Sequence, residues 1–333
     1  MIKEQNLQIA GNPSLGIPDV SGNISYDLFG NPILDAKRTM SDYFGVPPFS
    51  ILDSTDKDWV NRKQRWNKLI NDTAQARKNV LAGGGASEKD FMKYINNGSS
   101  ILDAVLAELM LKWFTEEGFK TFDPFAGDTV FGFISGFLKR PFEGIELRQE
   151  QVDFNQMQCD REGLNCKYFC DTSENMNNYI ENESKDFIFS CPPYADLEVY
   201  SDLKEDLSTM SHEDFFKVYK KILQNTYYKL KNDRFAVIVT SEIRNKKGEY
   251  IRLVPNTINI MVEVGYIYYN DIILINSIGT LPRRTGRYMN AARKVGRRHQ
   301  NVLVFYKGNL NNIKNNFSEL IPKNTYYGSE NLE

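Results

Sequence analysis

The stretch KTFDPFAGDTVFGFISGFLKRPFEGIE (120–146) decides the architecture. KTFD (120–123) reads as a short strand, and the apolar run over about 129–138 as a buried helix. FEGIE (142–146) reads as the next strand, which completes a strand–helix–strand unit and requires the two strands to run parallel. The alternation continues on both sides. ILDAVLAELMLKWF (101–114) carries apolar residues at helical spacing ahead of the unit, and LRQEQVDFNQMQCDRE (147–162) supplies the next helix. KYFC (167–170), DFIFS (186–190) and FAVIVTS (235–241) read as further strands, the last preceded by a helix over about 211–230. A helical stretch over about 249–263 leads to YIYYNDIILI (266–275), and QNVLVFYK (300–307) closes the series. Such alternation predicts an α/β fold, a doubly wound and mostly parallel sheet covered on both faces. Two final strands with no helix between them predict an antiparallel terminal hairpin at its edge.

Outside this region the chain is less regular. Residues 1–40 are rich in Gly, Pro, Asn and Asp and read as an irregular arm. FGVPPFSILD (44–53) stays extended, because a residue before proline avoids the helical region. DKDWVNRKQRWNKLIND (56–72) is helical, with Trp59, Trp66 and Ile70 near one face that suits packing onto the main domain. AGGGAS (82–87) reads as a flexible joint. The expected division is an arm and helical segment over 1–90, a main domain over 91–310 and a polar tail over 311–333.

Composition narrows the function. The chain has 333 residues, 41% hydrophobic and 25% charged, which are ordinary globular proportions. Its 41 Lys and Arg against 43 Asp and Glu exclude a uniformly basic coat but leave room for a local basic patch. No apolar run approaches the roughly 18–20 residues of a membrane span, and MIKEQNLQIAGN is no signal peptide. An intracellular, cytoplasmic protein is expected. Cys159, Cys166, Cys170 and Cys191 sit at spacings that fit no common zinc pattern, and His212 and His299 are too scattered to help. Reduced thiols and no metal are the reading.

In a sheet of this kind ligands bind beyond the carboxyl ends of the strands. Three of those ends are informative. The first is Asp123-Pro124-Phe125-Ala126-Gly127-Asp128-Thr129, where glycine permits close backbone approach and a helix start offers free N–H groups. Alone, that turn is compatible with ordinary loop chemistry. The first acidic strand end after it is Glu146, placed to accept from ribose hydroxyls of a nucleoside-bearing cofactor. The absent G-x-G-x-x-G disfavours NAD relative to S-adenosylmethionine. Asp171 after KYFC could accept from an adenine amine, or could cap a helix with Glu174 three residues on.

The strongest signal ends the fourth strand: Phe189-Ser190-Cys191-Pro192-Pro193-Tyr194. Two prolines forbid helix and hold an extended loop, and the tyrosine beyond them offers a stacking face for a planar base. With both loops in order, the chain resembles the amino-methyltransferases of nucleic acids, marked by a D-P-F-x-G cofactor turn and a (D/N/S)-P-P-(Y/F/W) catalytic loop. It is especially similar to DNA methylases of bacteriophage genomes in FGVPPFS, LRQEQV, SCPPY, DLEVYSD and HQNVLVFYKG, over about residues 40–308.

The resemblance implies a Rossmann-like methyltransferase that moves a methyl group from S-adenosylmethionine to an exocyclic amine of adenine or cytosine in DNA. It implies that Asp123, Pro124, Phe125, Ala126 and Gly127 line the cofactor, with Asp123 near its methionine end. Residues near Ser100 and Ile101 would add to that end. Glu146 would take the ribose, Leu147 would pack beside the adenine, and Asp171 would accept from its amine. Cys191, Pro192, Pro193 and Tyr194 would form the catalytic loop around the target amine. Two positions depart from the family. Thr129 replaces a usual second glycine, which predicts a less close cofactor loop. Cys191 replaces Asp, Asn or Ser, and a thiol is a weak acceptor. The Pro192 carbonyl would then carry more of the amine's positioning, since strand alternation turns Ser190 away.

A duplex partner is implied as well, because a base must be flipped out to be methylated. PRRTGRYMNAARKVGRR (282–298) holds seven basic residues and no acidic one: Arg283, Arg284, Arg287, Arg293, Lys294, Arg297 and Arg298. As a loop within the terminal hairpin (276–299) it would contact phosphates. The stretch 171–214, by contrast, carries 12 acidic and two basic residues, including Asp196, Glu198, Asp202, Glu205 and Asp206, and reads as a mostly solvated face. Three other readings are an RNA methyltransferase, a pyrimidine-carbon methyltransferase with Cys191 as nucleophile, and a non-catalytic DNA-binding protein on the same fold. Roles in DNA methylation and restriction-modification, in a bacterial or phage-infected cell, are what the family implies.

Overall fold

The computed structural model describes residues 44–70, 102–195, 201 and 203–320. The arm over 1–40, the joint at 82–87, Ser100, Ile101, Asp196, Glu198, Asp202 and the boundary at residue 90 lie outside the described residues. In chain order the strands are β1 (Ile51–Asp53), β2 (Thr121–Asp123), β3 (Phe142–Glu146), β4 (Cys166–Cys170), β5 (Lys185–Ser190), β6 (Leu230–Thr240), β7 (Ile267–Ile275) and β8 (His299–Lys307). The longer helices are α1 (Lys57–Ile70), α2 (Ala104–Phe114), α3 (Val130–Phe137), α4 (Gln149–Arg161), α5 (His212–Lys229), α6 (Leu253–Val264) and α7 (Leu281–Ala292).

All eight strands form one sheet in the order β1-β7-β8-β6-β5-β2-β3-β4. β2 pairs in parallel with β3 and β5, β3 with β4, and β5 with β6. Only β8 runs antiparallel, between β6 and β7. The α/β, doubly wound, mostly parallel class read from the sequence therefore holds, and so does the antiparallel pairing of the last two strands, although β1 rather than that pair forms the edge. Winding proceeds outward through β3 and β4 on one side and through β5 and β6 on the other. The reversal between β2 and β5 opens a crevice at their carboxyl ends, where such sheets bind ligands.

Side chains alternate across the strands and divide the core in two. Phe187, Phe189, Val237, Val239, Val302 and Val304 face a layer with residues of α1, α2, α3 and α4. Ile188, Ala236, Ile238, Leu303 and Phe305 face α5 and α6. Helix starts follow the local sequence: Asp103 accepts from the N–H of Val105 and Leu106 at the start of α2, and Ser211 from that of Asp214 in α5.

Two elements differ from the sequence reading. Ile51–Asp53 adds a parallel edge strand beside β7, Ile51 opposite Ile273, so part of the arm belongs to the sheet. Behind it, α1 buries Trp59, Trp66 and Ile70 against the first core layer, as the spacing predicts. The basic segment is the second difference. It was expected as a loop, but most of it is helix α7, inserted between the paired strands β7 and β8. Leu281, Thr285 and Met289 recur every four residues and are half-buried, while Arg283, Arg284 and Arg287 are exposed. Pro282 sits in the first turn, where its missing N–H costs nothing.

Candidate active site

Four strand ends converge on one cavity of about 320 Å³ in the crevice. β2 delivers Asp123, Pro124, Phe125, Ala126 and Gly127, β3 delivers Glu146 and Leu147, and β4 delivers Asp171. β5 delivers Cys191, Pro192, Pro193 and Tyr194. These residues were singled out at four separate places in the sequence, and the fold brings all of them together. Leu102, the first described residue after Ser100 and Ile101, also lines the wall.

Asp123 is buried at the base. Its Oδ1 accepts from the Phe125 N–H (2.8 Å) and from the Ser190 hydroxyl (2.5 Å). Burial pushes its carboxyl up to about 7, against the downward pull of those two donors. Ser190, fully buried, is thus committed to Asp123 and turned away from the reacting side, as the alternation predicts.

Glu146 ties the cofactor-type turn to its own strand end. Oε2 accepts from the Gly127 N–H (3.1 Å), and Oε1 from the Arg148 N–H (3.1 Å) and Nε (2.9 Å). Gly127 has φ +52°, a left-handed conformation that presents this N–H at no steric cost. Burial raises the Glu146 pKa although Arg148 and these hydrogen bonds oppose it. Arg148 was not singled out in the sequence. Its position two residues past an acidic strand end was the available signal.

Asp171 stands at the rim. Oδ1 accepts from the Thr172 N–H (2.7 Å) and Asn175 Nδ2 (2.9 Å), and Oδ2 from the Tyr179 hydroxyl (2.7 Å). Against the upward push of burial, these donors hold its pKa below the ordinary carboxylate value. The helix-cap alternative is corrected: Thr172 caps the short turn Ser173–Asn178, and Glu174 pairs with Lys221 (2.9 Å).

Thr129 stands where the family has its second glycine, and its side chain points away into the fold. Its side chain is buried and donates to Asn155 Oδ1 (2.7 Å), while Asn155 Nδ2 donates to the Gly127 carbonyl (2.9 Å). The threonine anchors the turn from behind, a task glycine could not perform.

On the catalytic-type loop, Cys191 Sγ lies 3.6 Å from the Tyr194 hydroxyl, which also accepts from Gln300 Nε2 (2.8 Å). Asn276 Nδ2 in turn donates to Gln300 Oε1 (3.4 Å). Tyr194 is therefore held between its own loop and the start of β8, a long-range contact with no sequence signature. Asp206 is a second residue whose place was not foreseen. It is buried rather than solvated, accepts from the N–H and hydroxyl of Ser201 and Ser208, and shapes a turn that lines the cavity beside Leu207.

The seven basic residues do not line the cavity but share its sheet edge, since β7 ends and β8 begins there. Arg283, Arg284, Arg287 and Arg293 are exposed, and Lys294 is half-buried. Arg298 donates to the Asn276 carbonyl (2.9 Å). Arg297, half-buried, braces the chain just past β6 to β8 through Ser241 Oγ (2.8 Å) and Asn301 Oδ1 (2.6 Å).

No family model matches the chain, and no curated protein matches it in sequence. Among solved structures it is similar to TrmN from Thermus thermophilus, at 14% identity and a TM-score of 0.43 over 63% of this chain. That match spans 50% of the TrmN chain, half its length. A TehB-like SAM-dependent methyltransferase from Corynebacterium glutamicum matches at 12% identity and TM-score 0.41, over 71% of this chain and 100% of that one. A methyltransferase from Pyrococcus furiosus matches at 18% identity and TM-score 0.40, over 62% and 83%. Among the described residues no helix is long and apolar enough to cross a membrane.

Proposed function

We propose that the protein is an S-adenosylmethionine-dependent methyltransferase acting on an exocyclic amine of a base flipped from double-stranded DNA. The observation that carries this reading is the convergence of three acidic strand ends and the Cys191-Pro192-Pro193-Tyr194 loop on one cavity at the switch point. The residues fit a cationic nucleoside. Asp123 offers a carboxylate at the base of the cavity, with both described donors on Oδ1 so that Oδ2 is left for a ligand cation. Glu146 and Asp171 line the wall with acceptors suited to ribose hydroxyls and an adenine amine, and Leu147 supplies apolar surface. Bound there, the cofactor supplies a methyl group on a positively charged sulfur.

The chain's own work is positioning. The two prolines hold the loop extended at the cavity, and in this reading the Pro192 carbonyl accepts one hydrogen bond from the target amine and directs the lone pair inward. Tyr194 offers a ring face to the extruded base, held in place by Cys191 and Gln300. Labelled-methyl transfer from S-adenosylmethionine to DNA tests the reading directly. Label appearing only in RNA, or in neither, would refute it.

Asp123 gives a pH-dependent test. A carboxyl that titrates near 7 when folded and near 3.8 when unfolded contributes stability at low pH that is lost as pH rises through 7. The wild type should therefore lose more stability between about pH 4 and 7 than Asp123→Asn, whose amide does not titrate but keeps the Oδ1 acceptor. S-adenosylmethionine should bind the wild type more tightly above pH 7, where the carboxylate is charged, and the variant weakly throughout. Thermal melts and calorimetric titration across that range check both parts. Parallel pH profiles for the two proteins would remove Asp123 from the cofactor site.

Helix α7 is assigned to phosphates. Replacing Arg283, Arg284 and Arg287 together should weaken binding to every DNA sequence and flatten the salt slope by roughly three units. Loss confined to one sequence would make these residues base readers instead.

A further inference from the structure

Between β6 and α6 the chain forms a small hairpin that nothing in the sequence reading foresaw. Arg244 and Tyr250 make an antiparallel bridge, and the Asn245–Glu249 turn closes through Asn245 N–H to the Glu249 carbonyl (2.9 Å) and Gly248 N–H to the Asn245 carbonyl (2.9 Å). The Arg244 guanidinium lies 3.8 Å over the Tyr250 ring and donates to the Gly248 carbonyl (2.7 Å). Lys246 and Lys247 stand exposed at the tip, with Arg244, Tyr250 and Arg252 exposed along its sides.

This hairpin joins the basic segment physically. Gly248 takes the left-handed φ of +89° that the turn requires, and the Lys294 Nζ reaches across to its backbone, so the two elements touch. At the hairpin's base, Arg297 donates to Ser241. Together, residues 244–252 and 281–298 hold 11 of the chain's 41 Lys and Arg but only one of its 43 acidic residues, Glu249. In a chain of net charge -2, such segregation keeps like charges close at a cost in self-repulsion that a polyanion would relieve. The position fits too: β6 ends at the same sheet edge as the cavity.

We propose that the 244–250 hairpin is a second nucleic-acid contact, gripping the backbone of the duplex beside α7. Lys246 and Lys247 contact phosphates, while the stack of Arg244 on Tyr250 keeps the hairpin rigid and holds Arg244 facing outward. This inference rests on the DNA reading above.

The test measures duplex binding by the full chain against salt concentration. Lys246→Gln with Lys247→Gln should lower the salt slope by about 1.8 units, near 0.9 for each phosphate no longer neutralised. Both lysines are exposed, so an unchanged melting temperature shows that the variant is folded. Tyr250→Ala should weaken binding and Tyr250→Phe should not, because only the ring braces Arg244. A wild type that methylates DNA while the double lysine variant keeps the full slope would overturn the hairpin assignment alone. A wild type that binds duplex RNA in preference to DNA would overturn both the assignment and the reading beneath it.

Discussion

Glu108→Ala is expected to destabilise the protein by about 3–5 kcal/mol, the scale of breaking a buried ion pair from one side. Glu108 lies in the middle of α2 and is 1% exposed. Its carboxylate receives Arg62 Nε (2.6 Å) and Nη2 (2.5 Å), Trp66 Nε1 (2.8 Å) and Lys112 Nζ (2.9 Å). Burial alone would raise its pKa, yet Lys112, Arg62 and Trp66 hold the group far below the ordinary carboxylate range. Removing it strands the half-buried Arg62 and an indole N–H in the interface between α1 and α2. Urea denaturation of the variant measures the loss, and a change under 1 kcal/mol would mean that the cluster contributes little. The linkage has a sign. A depressed folded pKa stabilises above the unfolded value and is lost as pH falls through the folded one. The Glu108 contribution should thus be full at neutral pH and disappear only in strong acid.

The same cluster shows how much of the arm was legible. Periodicity placed Trp59, Trp66 and Ile70 on one face, and that face is buried. What the face meets could not be read, because Glu108 looks like an interruption in an apolar helix until Arg62 and Trp66 arrive from 46 and 42 residues away. Strand β1 was equally hidden. Three residues carry no period of their own, and only pairing with β7 defines them. In α7 the local signals pointed the wrong way. Pro282 and Gly286 are loop formers by propensity, and the spacing of Leu281, Thr285 and Met289 has one strongly apolar member too few to outweigh them.

The candidate site was more legible than its supports. Every cavity residue singled out in the sequence ends or follows a parallel strand, and the rule that ligands sit at carboxyl ends converts strand prediction into a site. Supports act across the fold and leave no such trace. Gln300 reaches Tyr194 from 106 residues away, Asn155 reaches Gly127 from 28, and Ser190 reaches Asp123 from 67. Thr129 illustrates the consequence. As a departure from a family pattern it suggested a cofactor loop that approaches less closely, whereas its neighbours turn it into an anchor.

Tyr194→Ala is expected to lower methyl transfer by about 100-fold, since base–aromatic stacking is worth about 1–3 kcal/mol and the ring also shapes the loop. Tyr194→Phe keeps the ring and loses only the hydroxyl that meets Cys191 and Gln300, so it should cost a few-fold. Equal losses in the two variants would mean that the hydroxyl, not the stacking face, matters. Cys191 separates the chemistry itself. In direct transfer to an amine no covalent bond to the base forms, and a serine hydroxyl accepts a hydrogen bond at least as well as a thiol. Cys191→Ser should then retain substantial activity, and a 5-fluoropyrimidine duplex should leave no adduct. If Cys191 instead attacks a pyrimidine ring, the serine variant should lose several orders of magnitude, because hydroxyl is a far weaker nucleophile than thiolate. The wild type would then be trapped on the fluorinated base. The two outcomes differ in mass as well as rate, so intact-protein mass spectrometry after incubation decides between them even where activity is low. A trapped adduct would replace amine methylation by carbon methylation, with the cavity formed by Asp123, Glu146 and Asp171 unaffected by the change.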